Sequence, residues 1–449
     1  MNPEFQRNLM LELSIHRLIA MPVILLLVFV ATGALAGEDA VTHVATGVLW
    51  LLLVLWGSRL AAETVLGEVV GRTWDAQRMS SIGPWAMSWG KLFGSTVFIW
   101  YGALWCVPGY FWSGQKSVAD LAEIALLGLF THAIALFLSL MVLRVRPGGM
   151  RFQVTLVHVL ALSAALLYQA GLQQIVTLPS WAVVRWYGVA IDGAVFRLAS
   201  EVIFLAWAII GLYRLMRLEL QFRPGIYTRL VFVLFVAAYA GGLPDTVHSV
   251  ARWFVAFGAT VLVTYVAAFV EPKGFGRLRR WGYYLKTRDL ARALTTAPTW
   301  VVSGSIAVLL GVVTIALWST MDARDAIDAA PGLSVFFDIR YPKLAPFIIA
   351  ISLFLTRDIG IIYFFTLDGR AKRGHLTSLV YLGVLYILTP LILSAFNLDR
   401  LVPIAVPSPY GDPALVILPA LIQAGLVALL IAWRWRRLER TGLGSVPAG

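Results

Sequence analysis

The sequence contains a single cysteine, Cys106, which lies within an apolar run. One cysteine cannot form an intramolecular disulfide framework or a cysteine-based metal site, and without a pair the redox compartment cannot be inferred. Charged residues are also scarce: they make up 13% of the 449 residues, whereas soluble domains carry about 25%. No part of the chain is polar enough over sufficient length to form a soluble domain with its own core.

Motifs of hydrolytic and nucleotide-binding enzymes are absent from the sequence as well. Gly90-Lys91 is followed by Leu92 and has no glycine five residues earlier, so it is not a phosphate-binding loop. There is no HExxH zinc motif and no Gly-x-Ser-x-Gly nucleophile elbow. These absences predict a chain that is not an enzyme and that holds no cofactor of its own.

Apolar residues, in contrast, dominate: 59% of the chain is hydrophobic and the mean hydropathy is +0.81. Apolar runs of membrane-spanning length recur from end to end, which predicts an all-α polytopic membrane protein with about 12 transmembrane helices. The predicted spans are approximately 18–36, 44–62, 94–112, 121–143, 152–176, 198–213, 230–243, 252–270, 300–318, 344–366, 377–396 and 415–433. Two of them, 198–213 and 230–243, are short, which is tolerated where protein or a wet cavity surrounds the backbone.

The first apolar run has a second interpretation. Ala34-Leu35-Ala36 resembles a signal-peptidase site that follows a basic amino-terminal region. The run that begins at Leu18 is longer than the apolar region of a usual signal peptide. We therefore interpret it as the first span.

The distribution of charge predicts the orientation. The formal net charge is +12, and 27 of the 36 Lys and Arg residues fall in segments on one side of the membrane if the N-terminus is cytoplasmic. The opposite loops collect acidic residues, as at Asp322, Asp325, Asp328 and Asp338. This positive-inside pattern predicts a multi-pass protein of the bacterial cytoplasmic (inner) membrane with both termini in the cytoplasm. Anionic membrane lipid accounts for the basic charge without nucleic acid as a partner.

An internal repeat relates two polar stretches that lie 214 positions apart. "RTWDAQRMSSIGP" (72–84) aligns with "KTRDLARALTTAP" (286–298), and the identical pairs are Thr73 and Thr287, Asp75 and Asp289, Arg78 and Arg292, and Pro84 and Pro298. The same offset places spans one, two and six closely over spans seven, eight and twelve, and the middle three less closely. The repeat predicts two parallel six-helix halves, 1–213 and 214–449. Each half has a long cytoplasmic segment after its second span, the first polar segment (63–93) and the second polar segment (271–299).

The charges in these stretches have helical spacing. Arg72, Asp75 and Arg78 are three residues apart, so on a helix they share one face and Asp75 can pair with Arg78. The aligned residues of the second stretch are Lys286, Asp289 and Arg292. A short amphipathic helix repeated twice at the membrane surface suits docking to a two-fold partner. The alternative is a solvated link between two spans.

The first polar segment resembles a known family. "ETVLGEVVGRTWDAQRMSSIGPWAMSWGKLFGS" (63–95) is similar to the region after the second helix of ABC-2-type transporter permeases. The shared features are an acidic start, a Gly-Thr-x-[Glu/Asp] type stretch, a small-residue and proline stretch, and Gly90-Lys91 at the entrance to helix three. The N-terminal "MNPEFQRNLMLELSIHR" is similar to the connecting helix of the same family. The second half of the chain matches the family pattern less well. Permeases of this family usually have six helices per chain, whereas this sequence predicts about twelve.

The resemblance implies a type V exporter-like fold in which both polar segments are coupling helices. Each would sit in a groove of a separate cytoplasmic ABC ATPase subunit, which would bind ATP and Mg. Residues 72, 75, 78, 286, 289 and 292 would then form the ATPase-coupling sites. The resemblance favours export of an unidentified small molecule, lipid, glycan or peptide, and leaves open a second permease copy or an accessory membrane subunit.

Polar residues within the spans are candidates for a transport cavity, because burying them in lipid is costly. They are His132, His158 and Glu201. Each histidine can instead form structural hydrogen bonds between helices, and paired haem ligation by His132 and His158 is a third interpretation.

Two further segments carry predictions. We expect span ten to end near Thr356, so that Arg357 and Asp358 lie at the membrane interface. The aromatic stretch 178–196 is predicted to form a re-entrant or surface-lying hairpin.

Three functions fit these features: the permease of an ABC exporter, an ion-coupled secondary transporter, and a membrane-embedded subunit of a redox or assembly complex. Common two-half carriers have a short loop with a Gly-x3-Asp-[Arg/Lys] core after span two, which the first polar segment lacks. The third function rests only on the histidines.

Overall fold

The structure, a computed structural model, describes residues 2–145, 151–177, 183–222, 227–244, 249–271, 273–320, 344–367, 374–409 and 412–440. The acidic residues between 322 and 338 lie outside these ranges. Within them the chain is an all-α polytopic membrane protein with one small hairpin.

The helices follow the predicted apolar runs. In chain order they are α1 (Pro3–Glu12), α2 (Ile15–Ala36), α3 (Glu38–Val70), α4 (Trp74–Arg78), α5 (Pro84–Gly94), α6 (Val97–Tyr110), α7 (Val118–Val145), α8 (Arg151–Thr177), α9 (Gly193–Glu219), α10 (Tyr227–Gly241), α11 (Ser249–Val270), α12 (Phe275–Lys286), α13 (Leu290–Thr296), α14 (Thr299–Ser319), α15 (Leu344–Thr366), α16 (Gly374–Ala395) and α17 (Pro413–Arg440). A 3-10 turn, Asp399–Ile404, precedes α17.

Ten helices among the described residues are long and apolar enough to cross a membrane, and α5 with α6 gives an eleventh if that bent pair is one span. The expectation of a short span at 198–213 is wrong, because α9 has 27 residues. Its N-terminus is capped by Asp192, whose side chain accepts hydrogen bonds from the Ala194 and Val195 amides. The expectation of a short helix at 230–243 is confirmed, because α10 has 15 residues. The count of about twelve spans stays a prediction.

Three spans are irregular. Leu51–Trp56 within α3 and Val384–Leu388 within α16 are π-helical turns. Helices α5 and α6 meet at an angle of 47°. At that bend the Ser95 and Thr96 hydroxyls donate hydrogen bonds back to the Lys91 and Leu92 carbonyls, an arrangement that bends helices.

The chain folds into two compact units. The first unit comprises residues 1–184 and 191–224, and the second comprises residues 185–190 and 225–449. The predicted boundary between residues 213 and 214 lies within the continuous helix α9. In the first unit, most of the buried core comes from α2, α3, α5 to α7 and α9. In the second, most of it comes from α11, α14 and α15.

The predicted hairpin is present as two short strands, Val183–Trp186 and Val189–Asp192. Tyr187 and Gly188 form its turn with positive φ angles of 51° and 80°, as a two-residue hairpin loop requires. The Trp186 indole donates a hydrogen bond to the Tyr239 carbonyl within the second unit. Residues 178–182 of the predicted segment lie outside the described ranges.

Candidate functional site

The first polar segment contains a short helix set apart from the spans on either side. Helix α3 ends where Arg72 adopts a left-handed conformation with a φ of 56°, and the Thr73 amide donates to the Glu68 carbonyl at 2.9 Å. This bond pattern closes the last turn of a helix and redirects the chain. Helix α4 follows at Trp74 and has five residues. Pro84 then occupies the first turn of α5, where its missing N–H costs nothing.

A buried charge cluster holds this short helix in place. The Lys91 Nζ donates hydrogen bonds to Glu4 at 2.8 Å, to Glu68 at 2.5 Å and to the side-chain carbonyl of Gln77 at 2.8 Å. Lys91 and Glu4 are 0% and 1% exposed. The ammonium also lies 5.3 Å from the ring centroid of Trp74, within cation–π range. One lysine of α5 thus binds α1, the end of α3 and α4.

Arg7 completes this Lys91 cluster. Its guanidinium pairs with Glu68 and, at 3.0 Å, with Glu4. Burial acts to lower the pKa of Arg7, but its hydrogen bonds and charge interactions with Glu68 and Glu4 outweigh burial and raise the pKa above its ordinary value. The carboxylates of buried Glu4 and partly buried Glu68 and the two cations therefore balance each other.

Two glycines allow α1 to lie close against α5. A Cβ atom at Gly90 would be 2.7 Å from the Glu4 Cβ, and a Cβ atom at Gly94 would be 2.7 Å from the Asn8 Cβ. The Asn2 side chain donates to the Ala86 carbonyl at 2.6 Å. The Gly90-Lys91 pair quoted for the family resemblance therefore serves two functions: close helix packing and charge pairing.

The outer face of α4 is free of these contacts. The Asp75 side chain is 84% exposed and Met79 is 82% exposed, whereas Trp74 is buried. The predicted pair of Asp75 and Arg78 is present at 3.6 Å. Arg78 is also used within the chain, because its Nε donates to the Glu219 carbonyl at 3.1 Å. Asp75 in α4 and Met79, which directly follows this helix, therefore carry largely exposed side chains.

The second polar segment has the same local design. Helix α12 ends where Arg288 has a φ of 57°, and the Asp289 amide donates to the Tyr284 carbonyl at 3.0 Å. Helix α13 begins directly afterwards. The left-handed arginines, Arg72 and Arg288, are 216 positions apart, two more than the sequence offset.

The aligned acidic residues consequently differ in function. Asp289 is the N-cap of α13 and accepts from the Arg292 amide at 3.1 Å, whereas Asp75 lies inside the first turn of α4. Arg292 still pairs with Asp289 at 3.5 Å. Lys286 is the last residue of α12. The three residues of the second copy thus lie around a helix junction.

Different residues anchor the second segment. Arg229 donates to the Ala297 carbonyl at 2.9 Å and to the Thr295 carbonyl at 3.3 Å. Glu271 pairs with Arg277 at 2.8 Å and accepts from the Thr299 amide at 2.8 Å. These contacts satisfy the end of α13 and the start of α14.

Lys273 lies beside this group in a half-buried position. Its ammonium donates to the Phe269 and Glu271 carbonyls, each at 3.3 Å. Burial lowers the pKa of Lys273 to about 8, against an opposing effect of the Glu271 charge.

The two histidines both bind the π-helical turn of α3. In that turn the Gly57 amide donates to the Leu52 carbonyl, so the Leu53 carbonyl loses its α-helical partner. The His132 Nε2 donates to it at 2.6 Å, and the His158 Nε2 donates to the Leu55 carbonyl at 3.0 Å. A carbonyl can only accept, so each Nε2 carries the proton. Both histidines therefore make structural hydrogen bonds between helices. A role in a cavity or in haem ligation stays a prediction.

Glu201 is a different case. It is buried, and neither of its carboxylate oxygens has a hydrogen-bond partner among the described residues. One turn earlier, Arg197 pairs with Glu123 at 3.1 Å. An ionised carboxylate in this position is costly, which keeps Glu201 as a candidate for transport. Its place in a cavity stays a prediction.

The expectation that span ten ends near Thr356 is wrong. Helix α15 continues to Thr366, and Arg357 and Asp358 within it are 1% and 0% exposed. The Arg357 Nε donates to Asp358 at 2.7 Å, and its Nη1 donates to the Gln423 side-chain carbonyl at 2.7 Å. The pair is buried because charges at membrane depth are stable only when they bind each other inside the protein.

Two tyrosines complete this Asp358 cluster. The Tyr265 and Tyr386 hydroxyls each donate to the second carboxylate oxygen of Asp358 at 2.6 Å. Tyr386 lies in the π-helical turn of α16. A cavity of about 350 Å³ adjoins the cluster, with Asp358 and both tyrosines in its wall. The cluster joins α11, α15, α16 and α17 around a polar centre within the second unit.

Comparisons of the chain with protein-family models, with curated proteins and with solved structures found no match. The resemblance to ABC-2 permeases therefore rests on the residues quoted above. The polytopic helical fold is shown, and the family stays a proposal.

Proposed function

We propose that the chain is the transmembrane permease subunit of an ATP-driven ABC transporter that works as an exporter. It would couple to separate cytoplasmic ATPase subunits through α4 and α13. The polar face of α4 would sit in a groove of an ATPase subunit, and closure of the ATPase pair would move the transmembrane helices. The chain lacks a phosphate-binding loop, so ATP and Mg would be bound by the partner.

One observation carries this proposal: α4 is held rigidly from inside and is open on its outer face. The Lys91 cluster binds α4 through Gln77 and Trp74, while Asp75 and Met79 project outward. A solvated link between spans needs no buried lysine to hold it. An element that transmits a movement must be fixed to the helices that it moves. Coupling requires one structural element with two arrangements, and both the ATPase site and the transport site must shift the equilibrium between them.

Lys91 also joins the elements that such a movement would involve. It lies on α5, the first helix of the bent pair of α5 and α6. It contacts α1 through Glu4 and α3 through Glu68. A displacement of α4 would therefore pass directly to two spans and to the N-terminal helix.

The experiment is purification of the tagged full-length chain from its native membrane in mild detergent. We expect an ATPase with a phosphate-binding loop to co-purify in a fixed ratio, and the purified complex to hydrolyse ATP. The companion variant is Lys91→Met, which loses the anchor of α4 and should retain less ATPase; thermal unfolding shows whether the protein used is still folded. Purification of the wild-type chain alone, without associated ATP hydrolysis, would oppose the proposal.

The Asp358 cluster favours a second candidate, an ion-coupled secondary transporter. A carboxylate at membrane depth, bound to two tyrosines and one arginine, has the chemistry of a proton relay. Uptake or efflux that follows a pH gradient without ATP would support it, provided that Asp358→Asn abolishes it in protein that thermal unfolding shows to be folded. The same transport with ATP dependence would favour the permease.

A further inference from the structure

The second unit contains a large cavity that ATPase coupling does not require, although Lys286 in its wall is also a predicted coupling residue. It has a volume of about 1040 Å³ and lies among α12, α14, α15 and α17. This volume is slightly above the usual range for sites that bind small molecules, roughly 300–1,000 Å³. The cavity is far larger than the space beside Asp358.

The inner wall of the cavity is apolar and preformed. Trp300 and Tyr363 line it, and the Trp300 indole donates to the Tyr363 hydroxyl at 2.6 Å. Trp435 stands on another side, where its ring lies 4.6 Å from that of Phe275. Gly304 in α14 adds no side chain to the wall. Trp300 and Trp435 are held in place by Tyr363 and Phe275. The space between them can therefore accept a flexible apolar chain.

The mouth of the cavity is basic. Arg279 and Lys286 of α12 line it, against a single acid, Glu439, which accepts a hydrogen bond from the Trp435 indole at 2.9 Å. Helix α12 contains four basic residues and no acidic residue: Arg277, Arg279, Arg280 and Lys286. Further basic residues cluster at the end of α17: Arg434, Arg436, Arg437 and Arg440. Basic amphipathic helices of this kind lie at the membrane surface and attract anionic lipid.

We propose that this cavity is a binding site for one anionic glycerophospholipid. An acyl chain would lie along the aromatic wall, and the phosphate would be bound at the mouth by Arg279 and Lys286. Charge complementarity favours an anionic headgroup, because the cavity wall carries two basic side chains, Arg279 and Lys286, and one acidic side chain, Glu439. The site does not depend on coupling to an ATPase, so it can be tested separately.

Gly282 provides a sharp test of the cavity. It lines the site, and nothing lies within 4 Å of the position that its Cβ would occupy, so the backbone leaves room for a side chain there. Gly282→Phe is designed to occupy the cavity. Gly276 is the matched control, since it also lies in α12 with nothing within 4 Å and is not in the cavity wall. Ser305→Leu fills the site from α14 as a second variant.

The measurement is native mass spectrometry of delipidated protein in detergent, with phosphatidylglycerol or phosphatidylcholine of identical acyl chains added. We expect the wild-type chain to retain one phosphatidylglycerol with an affinity about tenfold or more above that for phosphatidylcholine. Gly282→Phe and Ser305→Leu should lose both lipids, and Gly276→Phe should bind as wild type. Thermal unfolding of each variant shows that it is folded.

Charge variants test the mouth. Arg279→Glu and Lys286→Glu should each remove the preference for phosphatidylglycerol but retain phosphatidylcholine, whereas Arg280→Glu, on the same helix but outside the cavity wall, should change it less. Equal binding of the two lipids by the wild type would overturn the anionic assignment. Unchanged lipid binding in folded Gly282→Phe and Ser305→Leu would overturn the site itself.

Discussion

Lys91 and Glu4 form an ion pair at 2.8 Å although 87 positions separate them in the sequence. Both side chains are buried, and the pair joins the N-terminal helix α1 to the helix that enters the third span. It places the polar stretch 72–84 next to a fixed charge. The position of α4 therefore depends on residues at the beginning of the chain.

Breaking this pair should destabilise the first unit. Lys91→Met leaves Glu4 and Glu68 buried with fewer partners, and loss of one partner of a buried ion pair costs about 3–5 kcal/mol. We expect a clear fall in the thermal unfolding temperature in detergent. The control is Arg17→Met, whose pair with Glu12 has a similar distance of 2.9 Å but is 52% and 28% exposed. That change should cost within about 1 kcal/mol, and equal effects of the two variants would contradict the account.

Gly57 should be essential because it makes room for His132. A Cβ atom at Gly57 would lie 2.0 Å from the His132 Nε2, so Gly57→Ala should destabilise by about 1–3 kcal/mol through overpacking. Gly47→Ala, in the same helix with nothing within 4 Å, should instead stabilise by up to about 1 kcal/mol. Thermal unfolding distinguishes the two. In a His132→Ala background the penalty at Gly57 should largely disappear; a penalty that persists there would show a different cause.

The Asp358 cluster should be sensitive to the loss of its charge balance. Asp358→Asn leaves the buried Arg357 without a counter-ion, which costs about 3–5 kcal/mol. The double variant Arg357→Met/Asp358→Asn should be less destabilised, because it removes both charges. Asp399→Asn is an exposed control and should change stability by about 0.5 kcal/mol or less. A double variant that is less stable than Asp358→Asn would show that the arginine is stabilised by its other contacts.

Apolar run length predicted the helices well, since about 20 apolar residues are needed to cross a bilayer whatever they pack against. It could not predict the π-helical turn at Leu51–Trp56, because the apolar side chains of that stretch give no local signal for an inserted residue. It also misplaced Arg357 and Asp358 at an interface. Their burial depends on Tyr265 and Gln423, which come from other helices and which no local pattern connects to them.

The proposed coupling residues were also predictable only in part. The three-residue spacing of Asp75 and Arg78 predicted their pairing, because it depends only on helix geometry. The identity of Lys91 as the anchor was out of reach, since its partners lie in α1 and at the end of α3. The sequence alignment paired Asp75 with Asp289, but the two residues have different structural positions. The left-handed arginines before α4 and α13 are 216 positions apart, whereas the alignment offset is 214, so the second helix begins two residues later than the alignment predicts.

Lys273 gives the stability of the second unit a pH dependence. Its pKa is lowered by burial to about 8 in the folded chain, against roughly 10.4 when unfolded. Between these values the unfolded chain binds more protons, so this residue's contribution to stability rises as pH increases from about 8 to about 10.4. The check is the difference in unfolding temperature between wild type and Lys273→Met across this range. A difference that does not vary with pH would contradict the lowered pKa.

The most direct test of the proposed coupling is ATPase binding by variants on the exposed face of α4. Asp75→Lys and Met79→Glu alter side chains that project outward, so they should leave folding intact. If α4 is seated in an ATPase groove, each change should cost about 2 kcal/mol or more, a more than tenfold loss of affinity. Glu38→Lys is the matched control, since Glu38 is also an exposed acid in the first turn of a helix. We predict that both α4 variants lose the co-purified ATPase while Glu38→Lys keeps it; full ATPase binding by both would contradict the account.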